Sequence, residues 1–182
     1  MLLMKNIGFF LVISFSLYAF DFSKSDPVSH SFKHNPSGKE RVRVVNPSYE
    51  NELIGLINQY RIENGLEALQ INKSLMQASR YHAADMANEN YFKHATHNRN
   101  KNSLQRGIST FQRIARFYDG FANTENIGAG YFSPQSVFEG WVNSPGHDVN
   151  LLNPSSTHVG VGFYETNNSS YKRYWVFASS VE

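Results

Sequence analysis

The chain has 182 residues, with 17 Lys plus Arg, 15 Asp plus Glu, 7 His, 41% hydrophobic residues and no cysteine. That composition excludes an extended disordered chain, and the missing thiols exclude a disulfide framework, a cysteine-held metal and a thiol nucleophile. A formal charge of +2, without a block of basic residues, argues against a nucleic-acid groove.

At the start, Lys5 precedes an apolar run from Ile7 to Leu17, and Tyr18-Ala19 offers a small residue for cleavage. The run is shorter than the roughly 20 apolar residues of a membrane span. Residues 1–19 therefore read as a signal peptide, or as an N-terminal anchor if uncleaved, and the mature protein is expected to be secreted or periplasmic with no stable span. No cysteine follows to carry a lipid. Residues 20–48 are polar, contain Pro27, Pro36 and the basic stretch Lys39 to Arg43, and show no periodicity, so a flexible linker is expected. His30 and His34 are four apart, but the Ser, Pro and Gly around them predict a solvated tail rather than a helix.

Residues 49–182 carry the organised pattern. Ser48 is placed to cap a first helix with Glu50 and Glu52 at its positive end. Leu53, Leu56, Ile57 and Tyr60 form its apolar stripe, and Asn64-Gly65 ends it. A second helix is predicted from Lys73 to Asn90, with Leu75, Ala78, His82 and Met86 on one face and Ala83, Ala84 and Ala87 permitting close approach. Ser133-Pro134 reads as N-cap and first residue of a third helix reaching Asn143, with Val137, Phe138, Trp141 and Val142 turned inward. Val159, Val161 and Phe163 alternate with Gly160 and Gly162, and a turn at Asn167 to Ser170 leads into the aromatic run Tyr171 to Phe177; these read as paired strands. His82 is expected in the core or at its boundary, His97 on a loop surface, and His158 facing solvent.

Three polar residues stand at the edges of apolar segments: His94 after Tyr91-Phe92, Glu125 before Gly128 and Gly130, and His147 after Gly146. The glycines allow close backbone approach, so the three can converge in one cleft. Two neutral imidazoles and a carboxylate can bind a divalent ion, or act as general base and acid without one. No His-Glu-x-x-His motif is present. Ser144 lacks a nucleophile elbow.

Taken in order, Tyr91-Phe92-Lys93-His94, Glu125-Asn126-Ile127-Gly128, Trp141 to His147 with Asn150, Val159-Gly160-Val161-Gly162 and Tyr174-Trp175-Val176 resemble the CAP superfamily. This is the group of cysteine-rich secretory proteins, antigen 5 and pathogenesis-related one proteins, here in its compact bacterial form, and the resemblance covers residues 49–182. It implies an α+β fold, a three-layer αβα sandwich with a central antiparallel sheet. It also implies a cleft with two His and up to two acidic residues, in which His94, Glu125 and His147 match the first His, the first Glu and the second His. The second acidic position falls on Ser144, leaving Glu139 as the alternative acid, about 140° from Ser144 at 100° per residue. Asp148 stands where bacterial relatives carry Arg and adds negative charge beside His147; if the two are close, it is expected to favour the imidazolium or to strengthen cation attraction. Ser144 and Asn150 are supporting positions.

By that resemblance the metal is zinc or another divalent cation, bound by His94 and His147 with Glu125 nearby. The function expected is an exported protein whose cleft binds the cation, a lipid or an envelope-derived ligand. One alternative is a metal-assisted or general-base hydrolase of peptide bonds using His94, Glu125 and His147, with Glu139 as a further candidate. A non-catalytic interaction module is the other.

Overall fold

The computed structural model describes residues 32–181; the expected signal segment, the first part of the linker and His30 lie outside them. The elements are α1 (Pro47–Glu63), β1 (Gln70–Ile71), α2 (Lys73–Asn88), β2 (His97–Asn100), β3 (Ser103–Arg106), α3 (Thr110–Ile114), β4 (Phe121–Ala129), α4 (Pro134–Val142), α5 (Pro145–Leu151), β5 (His158–Glu165) and β6 (Arg173–Val181). Among the described residues no helix is long and apolar enough to cross a membrane.

Period-two alternation in β5 and β6 sets the layers. Val159, Val161 and Phe163, with Trp175 and Phe177, pack against Leu53 and Ile57 of α1 and Val137 and Trp141 of α4. Tyr174 and Val176 point the other way, onto Ala83, Met86 and Ala87 of α2. Gly160 and Gly162 share that second face. A Cβ on Gly160 would lie 2.1 Å from the Leu75 carbonyl carbon and one on Gly162 2.2 Å from the Arg80 nitrogen, so α2 rests directly on the strand. The sheet runs β1-β5-β6-β4, with β5–β6 and β6–β4 antiparallel and a two-residue parallel contact between β1 and β5. This is the expected sandwich.

Both outer edges of the sheet are closed by side chains. Beyond the two residues of β1, the Val161 amide donates to Met76 Sδ at 3.1 Å and the Phe163 amide to Glu50 Oε1 at 3.3 Å. Glu50 is held there by Arg80 through Nε at 2.9 Å and Nη2 at 2.6 Å. Burial pushes the Glu50 carboxyl above its ordinary value, with Arg80 acting in the opposite direction. On the β4 edge, Trp141 Nε1 donates to the Ile127 carbonyl at 3.1 Å and Asn150 Nδ2 lies 3.4 Å from the Glu125 carbonyl.

Several local expectations are corrected. Asn46, not Ser48, caps α1, because its side chain accepts from the Tyr49 amide and leaves Pro47 at the first helical turn. α2 ends at Asn88, and Asn90 takes φ 51° in the turn that follows. The described part of the linker, residues 32–46, holds no helix or strand; most of its side chains are exposed, and a few anchor it on the body. Val42 is buried with Tyr81 and Ala84, the Phe32 ring packs at a tilt 5.5 Å from that of Tyr81, and Gly38 passes so near the Arg116 carbonyl that a Cβ would sit 1.7 Å from its oxygen. His34 is exposed.

Candidate functional site

The site is built around the edge strand β4. Consecutive residues of a strand point to opposite faces. Glu125, in register with Ala178, faces the side of α2 and α3, while Asn126, in register with Phe177, faces the side of α4 and α5. One short stretch thus reaches a helix layer on each side of the sheet.

On the first side, His94 follows α2 in a loop whose carbonyl accepts from Thr110 Oγ1 at 3.3 Å and Arg113 Nη1 at 3.1 Å. Its ring Nδ1 is 2.9 Å from Glu125 Oε1. The other carboxylate oxygen, Oε2, accepts from Arg113 Nη2. Side-chain exposure falls from 51% at His94 to 2% at Glu125 and 0% at Arg113, so an exposed imidazole is anchored on a buried ion pair. Arg113 was not singled out by its sequence context, since a lone arginine in a short helix reads as a surface residue.

On the second side, His147 lies in α5, and its Nδ1 is 2.9 Å from Ser144 Oγ. The His147 carbonyl accepts from Asn126 Nδ2 at 2.9 Å, and Asn150 Nδ2 donates to Asn126 Oδ1 at 2.8 Å. These two amides tie α5 to β4. Burial, and then the field of His94, lower the His147 pKa below its ordinary value, so this ring is neutral at pH 7. That overturns the expectation for Asp148, whose Oδ1 instead accepts from Tyr60 OH at 2.9 Å, on α1.

Glu139 is exposed on α4 and accepts from Gln135 Nε2 at 2.7 Å; no hydrogen bond links it to His94, Glu125 or His147. His82 is buried with Nε2 3.0 Å from the Lys93 carbonyl, and desolvation holds its pKa well below the ordinary value. His97 is half-buried in β2, its ring 5.1 Å from that of Tyr91. His158 does not face solvent: pairing with Ser180 of β6 leaves it buried, with Nδ1 3.0 Å from Thr157 Oγ1. Behind the site, Tyr91 OH donates to Asp85 Oδ2, and burial pushes the Asp85 carboxyl up to about 7.

Among the described residues this donor set forms no complete site for a divalent cation. Both Glu125 oxygens are engaged, and among the described residues no group of three or more His, Asp or Glu side chains is arranged to hold a metal. The Nε2 atoms of His94 and His147 remain, each on a ring whose Nδ1 is already held, one by a carboxylate and the other by a hydroxyl. A ring fixed through one nitrogen presents the other as a ligand.

The model of the cysteine-rich secretory protein family, CAP, matches residues 54–179. The "Uncharacterized protein YkwD" of Bacillus subtilis (strain 168) is 37% identical over 120 residues, which are 65% of this chain and 44% of that protein. An extracellular protein containing an SCP domain from Bacillus anthracis strain Ames superimposes with TM-score 0.61 at 26% identity, over 76% of this chain and 42% of that one. An outer surface protein from Borrelia burgdorferi shares the fold at TM-score 0.60 and 20% identity, over 72% of this chain and 91% of its own. The chain therefore spans less than half the length of the first two.

Proposed function

Because the chain belongs to the cysteine-rich secretory protein (CAP) family, we propose that it is an exported binding protein whose cleft takes a divalent cation between His94 and His147, together with a lipid or envelope-derived ligand. The carrying observation is the clamp of Arg113 and Glu125 on His94 Nδ1, which fixes the ring by one nitrogen and leaves Nε2 open. The lowered His147 pKa supports the reading, since a neutral ring keeps its lone pair for a ligand. Two nitrogen donors suit zinc-like ions better than calcium or magnesium, which prefer oxygen. With only two side chains supplied by the protein, the remaining positions stay open to water or to the ligand. The extracellular neighbour from Bacillus anthracis supports export.

The test is calorimetric titration of the purified protein with zinc, beside a His94→Ala, His147→Ala double variant. One zinc-binding event lost in the variant is expected; equal affinity in both proteins defeats the proposal. A hydrolase reading draws on the same neutral His147, placed to accept a proton at pH 7. Glu125 suits it less as a general base, because Arg113 neutralises its carboxylate. Peptide hydrolysis unchanged by the double variant would sink that reading.

A further inference from the structure

Between Asn90 and Tyr118 the chain carries six of its 17 Lys and Arg residues and none of its 15 Asp and Glu; the remaining eleven cations and fifteen acids leave the rest at −4. No two of the six are adjacent, so the bias hides from a search for basic runs. Folding sets part of it in a hairpin next to His94. The Thr96 amide donates to the Ile108 carbonyl at 3.0 Å and the Ile108 amide to Thr96 Oγ1 at 2.9 Å, closing the base of the β2–β3 hairpin two residues from His94. The hairpin thus follows directly on the loop that bears His94.

Two of the six cations are already engaged. Arg113 holds Glu125, and Arg99 caps the end of α2 through the Glu89 carbonyl at 2.8 Å and the Asn90 carbonyl at 3.0 Å. Glu89, at the foot of the hairpin, is buried and accepts from the Arg99 amide, so its negative charge is set against the positive charge of Arg99 and leaves four further cations. Lys93, Lys101, Arg106 and Arg116 are exposed and form no ion pair among the described residues. The register Asn98↔Gln105 and Asn100↔Ser103 puts three amides and a hydroxyl on one face of the hairpin, opposite the face of Arg99 and Arg106.

We propose that this hairpin is a binding arm for a hydroxylated polyanion, an acidic polysaccharide or a polyol-phosphate chain. The cations supply attraction to repeated anions and the release of their counterions. The exposed amides of Asn100 and Gln105, each both donor and acceptor, match hydroxyl groups between the anions. The hairpin carries no Phe, Tyr or Trp on which bases could stack. Leu104 is its one apolar strand residue, too little to wedge into a bilayer. The proposal does not rest on a cation in the cleft.

The test is titration of the full chain with polygalacturonate and with poly(glycerol phosphate) at about 50 mM salt, where charge contacts are strong. Binding to at least one polymer is expected, and a preference between them identifies the source of the anion. Lys101→Glu or Arg106→Glu should weaken binding about tenfold. Lys73→Glu makes the same charge change at the far end of α2, about 24 Å away for 16 residues, and should leave binding as it was. An Asn100→Ala, Gln105→Ala pair should weaken it several-fold with no change in charge. Failure to bind either polymer, an equal loss in Lys73→Glu, or equal affinity for duplex DNA or anionic lipid vesicles would overturn the proposal. Zinc titration of the Lys101→Glu protein separates this outcome from that of the cleft.

Discussion

Two buried glutamate–arginine pairs stand at opposite edges of the sheet, and they differ in where the carboxylate spends its second interaction. At β5, Glu50 bonds Arg80 and the Phe163 amide, so every partner is internal. At β4, Glu125 bonds Arg113 inside and His94 at the surface. A buried ion pair is weak evidence for net stability, because desolvation offsets much of the attraction. The first pair seals a strand edge; the second transmits the order of the core to an exposed ring.

That contrast is broken most severely by Arg80→Ala. It leaves Glu50 buried without its cation and is expected to cost about 3–5 kcal/mol in urea unfolding, while molecules that stay folded keep their zinc affinity. Glu125→Gln should differ in function rather than in stability. It leaves Arg113 buried without its anion, so a stability loss of about 3–5 kcal/mol is expected here too, but zinc affinity measured by calorimetry should also fall about 10–100-fold as His94 loses its orienting carboxylate. A zinc affinity unchanged in Glu125→Gln would place the two pairs in one structural class.

Asp85 sharpens the comparison through pH. Its folded pKa, about 7, lies above the ordinary 3.8, so between those values the native state holds a proton that the unfolded chain has released. Its contribution to stability therefore falls as pH rises from about 4 to 7 and is level above that. Asp85→Asn should flatten that part of the profile in thermal melts at a series of pH values; an unchanged slope would refute the assignment. The smallest effect is expected from Asp148→Asn. With that carboxylate turned to Tyr60, the His147 titration followed by NMR should stay below its ordinary value and shift little.

The first, second and fourth helices and the β5–β6 pair were legible because their apolar residues recur with the right period. β4 was not. Asn123, Thr124, Glu125 and Asn126 carry no apolar alternation, yet each spends its side chain on a defined partner: Ser156, Ser179, Arg113 with His94, and the His147 carbonyl. An edge strand can hide its periodicity in this way, because its side chains bond sideways as well as packing inward. At the site, His94, Glu125 and His147 could be picked out from turn chemistry and family likeness. Arg113 could not, since nothing local separates a fully buried guanidinium from a solvated one. His158 was misplaced for a related reason: a polar residue opening a strand gives no local sign that the neighbouring strand will cover it.

Gly160 and Gly162 lie under the first half of α2, and the loop bearing His94 leaves from its other end. A rigid helix lifted at one point tilts as a lever, and a methyl group at Gly160 must raise it, since 2.1 Å leaves no room for a Cβ. The position of the exposed imidazole is thus calibrated by two missing side chains on a strand that never touches it.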